Sequence, residues 1–459
     1  MKGKVYVLIN TLYKGVMRFT KYFIRKKVDS QKALIINTLT GAADIIDNTE
    51  MNKIENDIQA VDKRLISRGY IVESAEEEEN FSKLVNFYNQ KQFNNNILNI
   101  MLCLTYSCNM RCVYCFQKHQ LHESEGIMSR DQIDYIFENA DIILKKFGKS
   151  EYIITLFGGE PIQAKTFSLA KYVLERAAER KIYVNIITNG LEIKGFVKEI
   201  ERYKKNVHVQ ITLDGMEEIH NKQRPDSHGK ATYSKIASGI LACLNYGIKV
   251  VLRTNVSIYS SQFISQFISS NLINRCVKYS NFSMEIAPVI NHFGNNLQNA
   301  YNESLILDNI LKQEVSIEDL YKKNIYFTAD MFRLTGYLRS ILDQRFRNYK
   351  FSPVVNYCEA TRLAVCAIGA DGNIYLCPET VGKEEVVAGK IDKSIVFNEE
   401  MLELLRNRNI KTIEKCRNCS IATLCGGGCP LAAQKKYGSV KYSCCGNAKE
   451  VVQDFLDTH

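Results

Sequence analysis

Residues 105–117 read Thr-Tyr-Ser-Cys-Asn-Met-Arg-Cys-Val-Tyr-Cys-Phe-Gln, and the reading of this stretch decides the fold. Cys108, Cys112 and Cys115 stand at C-x3-C-x2-C spacing, directly after an apolar run of strand type at 98–105. Such a loop wraps three thiolates around one corner-sharing iron–sulfur cube. A cube of four irons held by three thiolates leaves one iron open to a small molecule. A zinc site would need a fourth donor, and only Cys103 on the preceding strand is near.

Outward from the loop, the text alternates. Strand-like runs at 98–105, 152–157, 182–188, 207–213, 250–256 and 282–289 are separated by helical patterns near 130–147, 166–179, 191–203, 233–246 and 262–272. Strands that alternate with helices over short connections predict a parallel sheet covered by helices, here a partial (β/α)6 TIM-type barrel. Ligands gather at the carboxyl ends of such strands. The chain is marked there repeatedly: Gly158-Gly159-Glu160-Pro161, Thr188-Asn189-Gly190 and Thr212-Leu213-Asp214-Gly215, with His220 and Arg224 downstream, and Arg253 and Asn255 in the fifth strand. The glycine pair exposes backbone groups to a ligand, and Glu160 suits an ammonium. Each mark alone signals a turn; their recurrence at successive strand ends signals a site.

The flanks differ from this core. Residues 1–93 predict a small α+β module: a basic amphipathic helix within 1–30, a hairpin at 33–47, a helix near 52–68 and a strand at 70–72. The acid run 76–79 reads as a solvated linker or helix start. The barrel occupies 94–290, a mostly helical connector 291–349, and a cysteine-rich domain 350–459. Nine of the fifteen cysteines fall in that last domain: Cys358, Cys366, Cys377, Cys416, Cys419, Cys425, Cys429, Cys444 and Cys445. Without a cleavable signal or a span of ~20 apolar residues, the chain reads as cytoplasmic. Thiols clustered in a reducing compartment point to metal, not disulfides. The isolated Cys243 and Cys276 read as small hydrophobes. A net charge of +10 spread along the chain reads as a solvated surface; no aromatic–basic stripe suits nucleic acid. Membrane contact through the basic N-terminus is the lesser reading of that segment.

C-x3-C-x2-C followed by an aromatic resembles the signature of radical S-adenosylmethionine (SAM) enzymes, and the resemblance extends over the six β/α units. It implies that Cys108, Cys112 and Cys115 hold a [4Fe–4S] cluster whose open iron takes the amino and carboxylate groups of SAM. It places Phe116 near the adenine, Gly158, Gly159 and Glu160 at the methionyl amine, and Thr212 at the ribose. Asn189 and Arg253 join the cofactor-binding set at the strand ends. Arg224 matches the arginine that meets the methionyl carboxylate, although the element reads His220-Asn221-Lys222-Gln223-Arg224 and lacks its usual acid. The tail resembles the SPASM domain of peptide-modifying radical enzymes. That resemblance assigns Cys358, Cys377 and Cys429 to a first auxiliary [4Fe–4S] cluster. It assigns Cys416, Cys419, Cys425 and either Cys444 or Cys445 to a second, three clusters in all. For the first cluster's fourth ligand, Cys366 substitutes for the Ser352 position or the site stays open. The N-terminal module resembles the leader-peptide-binding region of maturases of ribosomally made peptides.

The expected activity is hydrogen abstraction from a precursor peptide by a 5′-deoxyadenosyl radical, leading to a thioether or carbon–carbon crosslink. A flavodoxin or ferredoxin would supply the electron. Two alternatives stay in the same class: radical epimerisation, and formylglycine formation in sulfatases. Sulfatase maturases usually carry an aspartate right after the cysteine matching Cys377, where this chain has Pro378 and then Glu379. A zinc-stapled nucleic-acid or protein adaptor is the reading from another class.

Overall fold

All six apolar runs of the core form parallel strands. The computed structural model describes residues 17–58, 62–93, 95–117, 126–290, 302–313, 315–328, 332–343 and 352–458. Within them the N-terminal strands are β1 Met17–Phe19, β2 Phe23–Lys27, β3 Lys32–Asn37, β4 Ala42–Asp47 and β5 Ile71–Glu73. The core strands are β6 Ile97–Cys103, β7 Glu151–Phe157, β8 Val184–Thr188, β9 Val207–Thr212, β10 Lys249–Val256 and β11 Phe282–Pro288. Then come β12 Ile325–Phe327, β13 Val365–Ile368, β14 Asn373–Tyr375, β15 Gly389–Ile391 and β16 Ile395–Phe397.

These last five enlarge the sheet beyond the six repeats. Its order is β12-β11-β10-β9-β8-β7-β6-β13-β14-β15-β16. The short β12, inside the predicted connector, pairs in parallel with β11, and β13 from the tail pairs in parallel with β6. The remaining three strands are antiparallel. Strands buried on both faces carry near-continuous apolar runs, and Ile154, Leu156, Val209, Ile211, Val250 and Leu252 are fully or nearly fully buried. The helices cover this sheet with apolar stripes; Ile193, Phe196, Val197 and Ile200 form the buried side of Ile193–Glu201.

The N-terminal module corrects two expectations and, of the two readings of the acid run, keeps the helix start. Residues 1–16 of the expected basic helix lie outside the described residues. Residues 17–19 and 23–27 are strands, because Phe19 and Phe23 pack with Ile35, Ile46 and Tyr70 into a core of their own. The helix expected at 52–68 is two, Asn48–Asn56 and Lys63–Ser67, each capped by an aspartate, Asp47 and Asp62. The acid run opens the helix Ser74–Phe93. Its Glu77 is buried: it pairs with Arg18 at 2.5 Å, accepts from the Lys21 backbone N–H at 2.8 Å and also takes the Thr20 hydroxyl. A buried carboxylate persists only with such partners.

This module docks on the cysteine-rich tail. Ile24, Leu34 and Ile36 pack against Leu424, Cys425, Val451 and Phe455. Thr38 donates to the Ser420 carbonyl at 2.7 Å, and Thr423 donates to the Thr38 carbonyl at 2.8 Å. Among the described residues no helix is long and apolar enough to cross a membrane.

Candidate active site and auxiliary thiol clusters

The loop after β6 is held from three sides at the carboxyl edge of the sheet. Gly159 and Glu160, after β7, donate their backbone N–H groups to the carbonyls of Thr105 and Ser107 at 3.0 and 2.9 Å. So close an approach needs glycine. A Cβ on Gly159 would lie 2.1 Å from the Ser107 oxygen, and one on Gly158 (φ +125) 2.5 Å from Cys103 Sγ. The glycine pair thus also joins two loops, a close approach beyond the exposure to a ligand that the sequence suggested. Asn189, after β8, holds the first ligand position: its Nδ2 donates to Asn109 Oδ1 at 2.7 Å and lies 3.7 Å from Cys108 Sγ. Arg111 and Val113 donate backbone N–H groups to the carbonyls of Pro225 and Gln223, each at 2.9 Å.

Glu160 is nearly fully buried, and its carboxylate accepts from Thr188 Oγ1 (2.5 Å), Ile162 N (2.8 Å) and Asn189 N (2.7 Å). Burial pushes its carboxyl up to about 7. Those bonds stitch β7 to β8 and fix the carboxylate at the strand edge where the sequence expects it to meet an ammonium.

Beneath the thiols lies a polar hub. The Tyr114 hydroxyl donates to Asp214, and it accepts from Arg224 Nη1 at 2.6 Å and from Asn255 Nδ2 at 3.2 Å. Asp214 Oδ1 accepts from the Asn255 backbone at 2.9 Å. His220 is fully buried; its Nδ1 accepts the Asp214 N–H at 3.0 Å, so the ring proton sits on Nε2 against Thr232 Oγ1 at 3.1 Å. Thr232 in turn donates to the Arg224 carbonyl at 2.7 Å. Burial, then the Arg224 charge, lowers His220 to about 3, so it stays neutral. Thr212 is buried at the end of β9, in register with Arg253, whose Nε donates to Asn255 Oδ1 at 3.1 Å. Phe116 is 41% exposed at the loop's outer side. Tyr114 was missed in the sequence; its place between two candidate ligands was the available signal.

The donor chemistry of this edge fits the cofactor that the resemblance implies. Burial raises the Cys108 and Cys112 thiols to about 12 and about 11, while the neighbouring Arg224 cation pulls Cys112 down. Arg224 is buried, and among the described residues its Nε–H has no hydrogen-bond partner. An unpaired buried cationic donor beside a thiol suits an anionic ligand group.

In the tail, the thiols fall into two electrostatic neighbourhoods. Cys358 and Cys429 raise Cys377, Cys358 raises Cys429, and Glu379 raises both Cys377 and Cys429. Cys416, Cys419 and Cys425 each feel Cys445. Gly426, Gly427 and Gly428 turn the chain between the groups at φ +67, +87 and +76, conformations that favour glycine. Between them lies buried Arg408, donating to the carbonyls of Val440 (2.6 Å), Tyr442 (2.9 Å) and Gly427 (3.1 Å), with Nη1 without a hydrogen-bond partner among the described residues. Cys366 belongs to neither group. It lies in β13, paired in register with Ile100 and packed in the main apolar core, which corrects its assignment as a ligand. Cys243 and Cys276 are likewise buried in that core. Among the described residues no three donors close in as they would around a single ion. Thiols at the corners of a cube stand farther apart than donors to one ion.

Residues 102–259 match the radical SAM superfamily. Over 342 residues the chain is 26% identical to a cysteine-type anaerobic sulfatase-maturating enzyme of Clostridium novyi, covering 70% of this chain and 85% of that one. Over 433 residues it is 23% identical to the radical SAM cyclopropyl synthase TigE of Paramaledivibacter caminithermalis, covering 90% and 83%. Among solved structures, anSMEcpe with bound AdoMet aligns at TM-score 0.57 and 18% identity over 79% of this chain and 93% of that chain. Streptococcus suis SuiB bound to S-adenosylmethionine aligns at 0.54 and 15% over 93% and 98%. The match spans the thiol loop and the strand ends that hold it, and this chain therefore carries a radical SAM domain, which implies a [4Fe–4S] cluster and SAM.

Proposed function

We propose that this chain is a radical SAM peptide maturase that abstracts a hydrogen from a residue of a ribosomally made precursor peptide and leads it to a thioether or carbon–carbon crosslink. The observation that carries this reading is the reach of the likeness. TigE and SuiB align over 90% and 93% of this chain, a span that takes in barrel, cysteine-rich tail and much of the N-terminal module together. SuiB has also been solved bound to its precursor peptide SuiA. The docked module offers a three-stranded sheet, β2-β3-β4, for a leader peptide.

When bound, the cluster and SAM supply the radical chemistry. Cys108, Cys112 and Cys115 would hold the cluster, Arg224 would meet the methionyl carboxylate, and Thr212, Arg253 and Phe116 would border the nucleoside. The tail thiols would hold two auxiliary clusters that take the second electron or bind a substrate thiolate.

Formylglycine formation is the second reading. It is favoured by the 26% identity to a sulfatase-maturating enzyme and by Glu379, whose charge acts on both Arg253 at the barrel rim and Cys377 in the tail. Co-expression with short peptides from neighbouring reading frames, followed by mass spectrometry, tests the proposal. Loss of two hydrogens from such a peptide supports a crosslink. An unchanged mass with inverted stereochemistry replaces it with epimerisation, and conversion of a sulfatase Cys or Ser to formylglycine replaces it with sulfatase maturation.

A further inference from the structure

The tail presents an arithmetic problem. The resemblance assigns Cys358, Cys377 and Cys429 to one site and Cys416, Cys419, Cys425 and one of the last pair to the other, three against four. The packing agrees, since Cys377 and Cys429 share one small apolar cluster while Cys416 and Cys425 lie in two others that Cys419 joins. Cys366 is locked in β13 away from both. Cys444 remains. Its backbone N–H donates to the Gly427 carbonyl at 3.1 Å, and it forms an isolated parallel bridge with Gly428, the residue before Cys429. The fit is tight enough that a Cβ on Gly428 would lie 1.8 Å from the Cys444 oxygen. Its side chain packs on the small apolar cluster of Val386, Cys429, Leu431 and Ala432, the same cluster that Cys377 and Tyr357 cover. A cavity of about 110 Å³ opens there, lined by Cys429 and Cys444 together with Cys425, Cys445, Tyr357 and Arg333. Only Cys444 sits in that bridge, and the chain turns at Gly446 directly after Cys445.

We propose that the adjacent pair is split between the two auxiliary sites: Cys445 completes the second cluster and Cys444 supplies the fourth thiolate of the first. This inference rests on the reading that the tail holds two cubane clusters. On ligation the Cys444 thiol gives up its proton and the sulfur takes the iron corner that Cys358, Cys377 and Cys429 leave open. Both auxiliary clusters would then be fully thiolate-ligated. The substrate would coordinate neither, and the open iron of the chain would be confined to the SAM site. Cys444 and Cys445 would also tie the two clusters together through a single peptide unit.

The test uses the full chain with Cys108, Cys112 and Cys115 changed to Ala, which leaves only auxiliary iron. After anaerobic reconstitution this parent should hold about eight irons, two cubes of four. Adding Cys444→Ala should cost about one iron and convert one cluster to a three-iron form, read by Mössbauer and electron paramagnetic resonance spectra. Cys445→Ala should change the other cluster, giving a distinct spectrum, and the double variant should show both changes. Cys366→Ala should match the parent. Cys444→Ser, which keeps size and polarity, controls for misfolding: it should retain the parent's circular dichroism and still perturb the same cluster. An unchanged spectrum in both Cys444 variants overturns the proposal, as do identical spectra for Cys444→Ala and Cys445→Ala. A loss produced instead by Glu379→Gln or Cys366→Ala overturns it by naming another fourth ligand. A parent without iron overturns the two-cluster reading itself.

Discussion

The rim loop around Cys108 and the tail loops around Cys429 solve one problem, the placing of thiols, by opposite means. The rim loop is held from outside. Segments after β7, β8 and β9 each contribute hydrogen bonds to it, and its own turn contributes the Cys115 N–H to the Cys112 carbonyl at 3.2 Å. The tail is held largely from within, by three successive left-handed glycines, short 3-10 turns at Glu359–Arg362, Pro378–Thr380 and Glu414–Cys416, and an arginine bonded to three carbonyls. The difference follows from what each must leave open. A site that admits a small molecule needs donors on neighbouring strand ends, with one, Arg224 Nε–H, still without a partner among the described residues. A tail whose sites are closed, as proposed, can use its backbone for local turns.

The largest test of this contrast removes the rim thiols. Changing Cys108, Cys112 and Cys115 together to Ala should bring 5′-deoxyadenosine formation to background while the tail keeps its iron, measured by chromatography and iron assay. Undiminished product would refute the assignment. Next, Gly428→Ala places a Cβ 1.8 Å from the Cys444 oxygen at φ +76. It should destabilise the tail by about 3 kcal/mol or more and lower auxiliary iron, leaving the rim cluster loaded. Gly159→Ala should do the reverse, weakening SAM binding with the auxiliary spectra intact.

Tyr114→Phe is a milder probe of the rim. It removes the acceptor of Arg224 and Asn255 and the donor to Asp214. SAM affinity should fall on the order of 10-fold, the equivalent of ~1.4 kcal/mol, by equilibrium titration. Normal affinity would show that the hub does not position Arg224.

The smallest expected effect is a pH slope. His220 titrates near 3 in the fold and near its ordinary ~6.5 when unfolded, so its contribution is fully present above ~6.5 and fades as pH falls toward 3. Between pH ~6.5 and ~5.5 that loss is about 1 kcal/mol. His220→Gln should flatten this slope in urea unfolding curves, and an unaltered slope would remove His220 from the account.

Much of the core was legible. The six strands of 94–290 formed within a residue or two of their expected places, because parallel strands buried on both faces are continuously apolar. The extra strands were not legible. Ile325–Phe327 and Val365–Ile368 are too short to show a period, and they became strands by pairing with β11 and β6. Cys366 was misread for the same reason: a thiol near other thiols in sequence is moved away once its segment joins a sheet. Glu77 was misread as solvated because three partners, Arg18, Thr20 and Lys21, reach it from 56 to 59 residues away.

By itself, then, the sequence determined which atoms are available: three thiols in a loop after a strand, glycines where chains must touch, and a second store of thiols in the tail. Those are local properties, set by side-chain chemistry and by backbone freedom at single positions. Only the tertiary structure decided which thiols share a neighbourhood, that Glu160 stitches strands, and that Tyr114 braces Arg224. Such roles depend on distance between segments far apart in the chain, and hydrophobic burial of the sheet sets that distance.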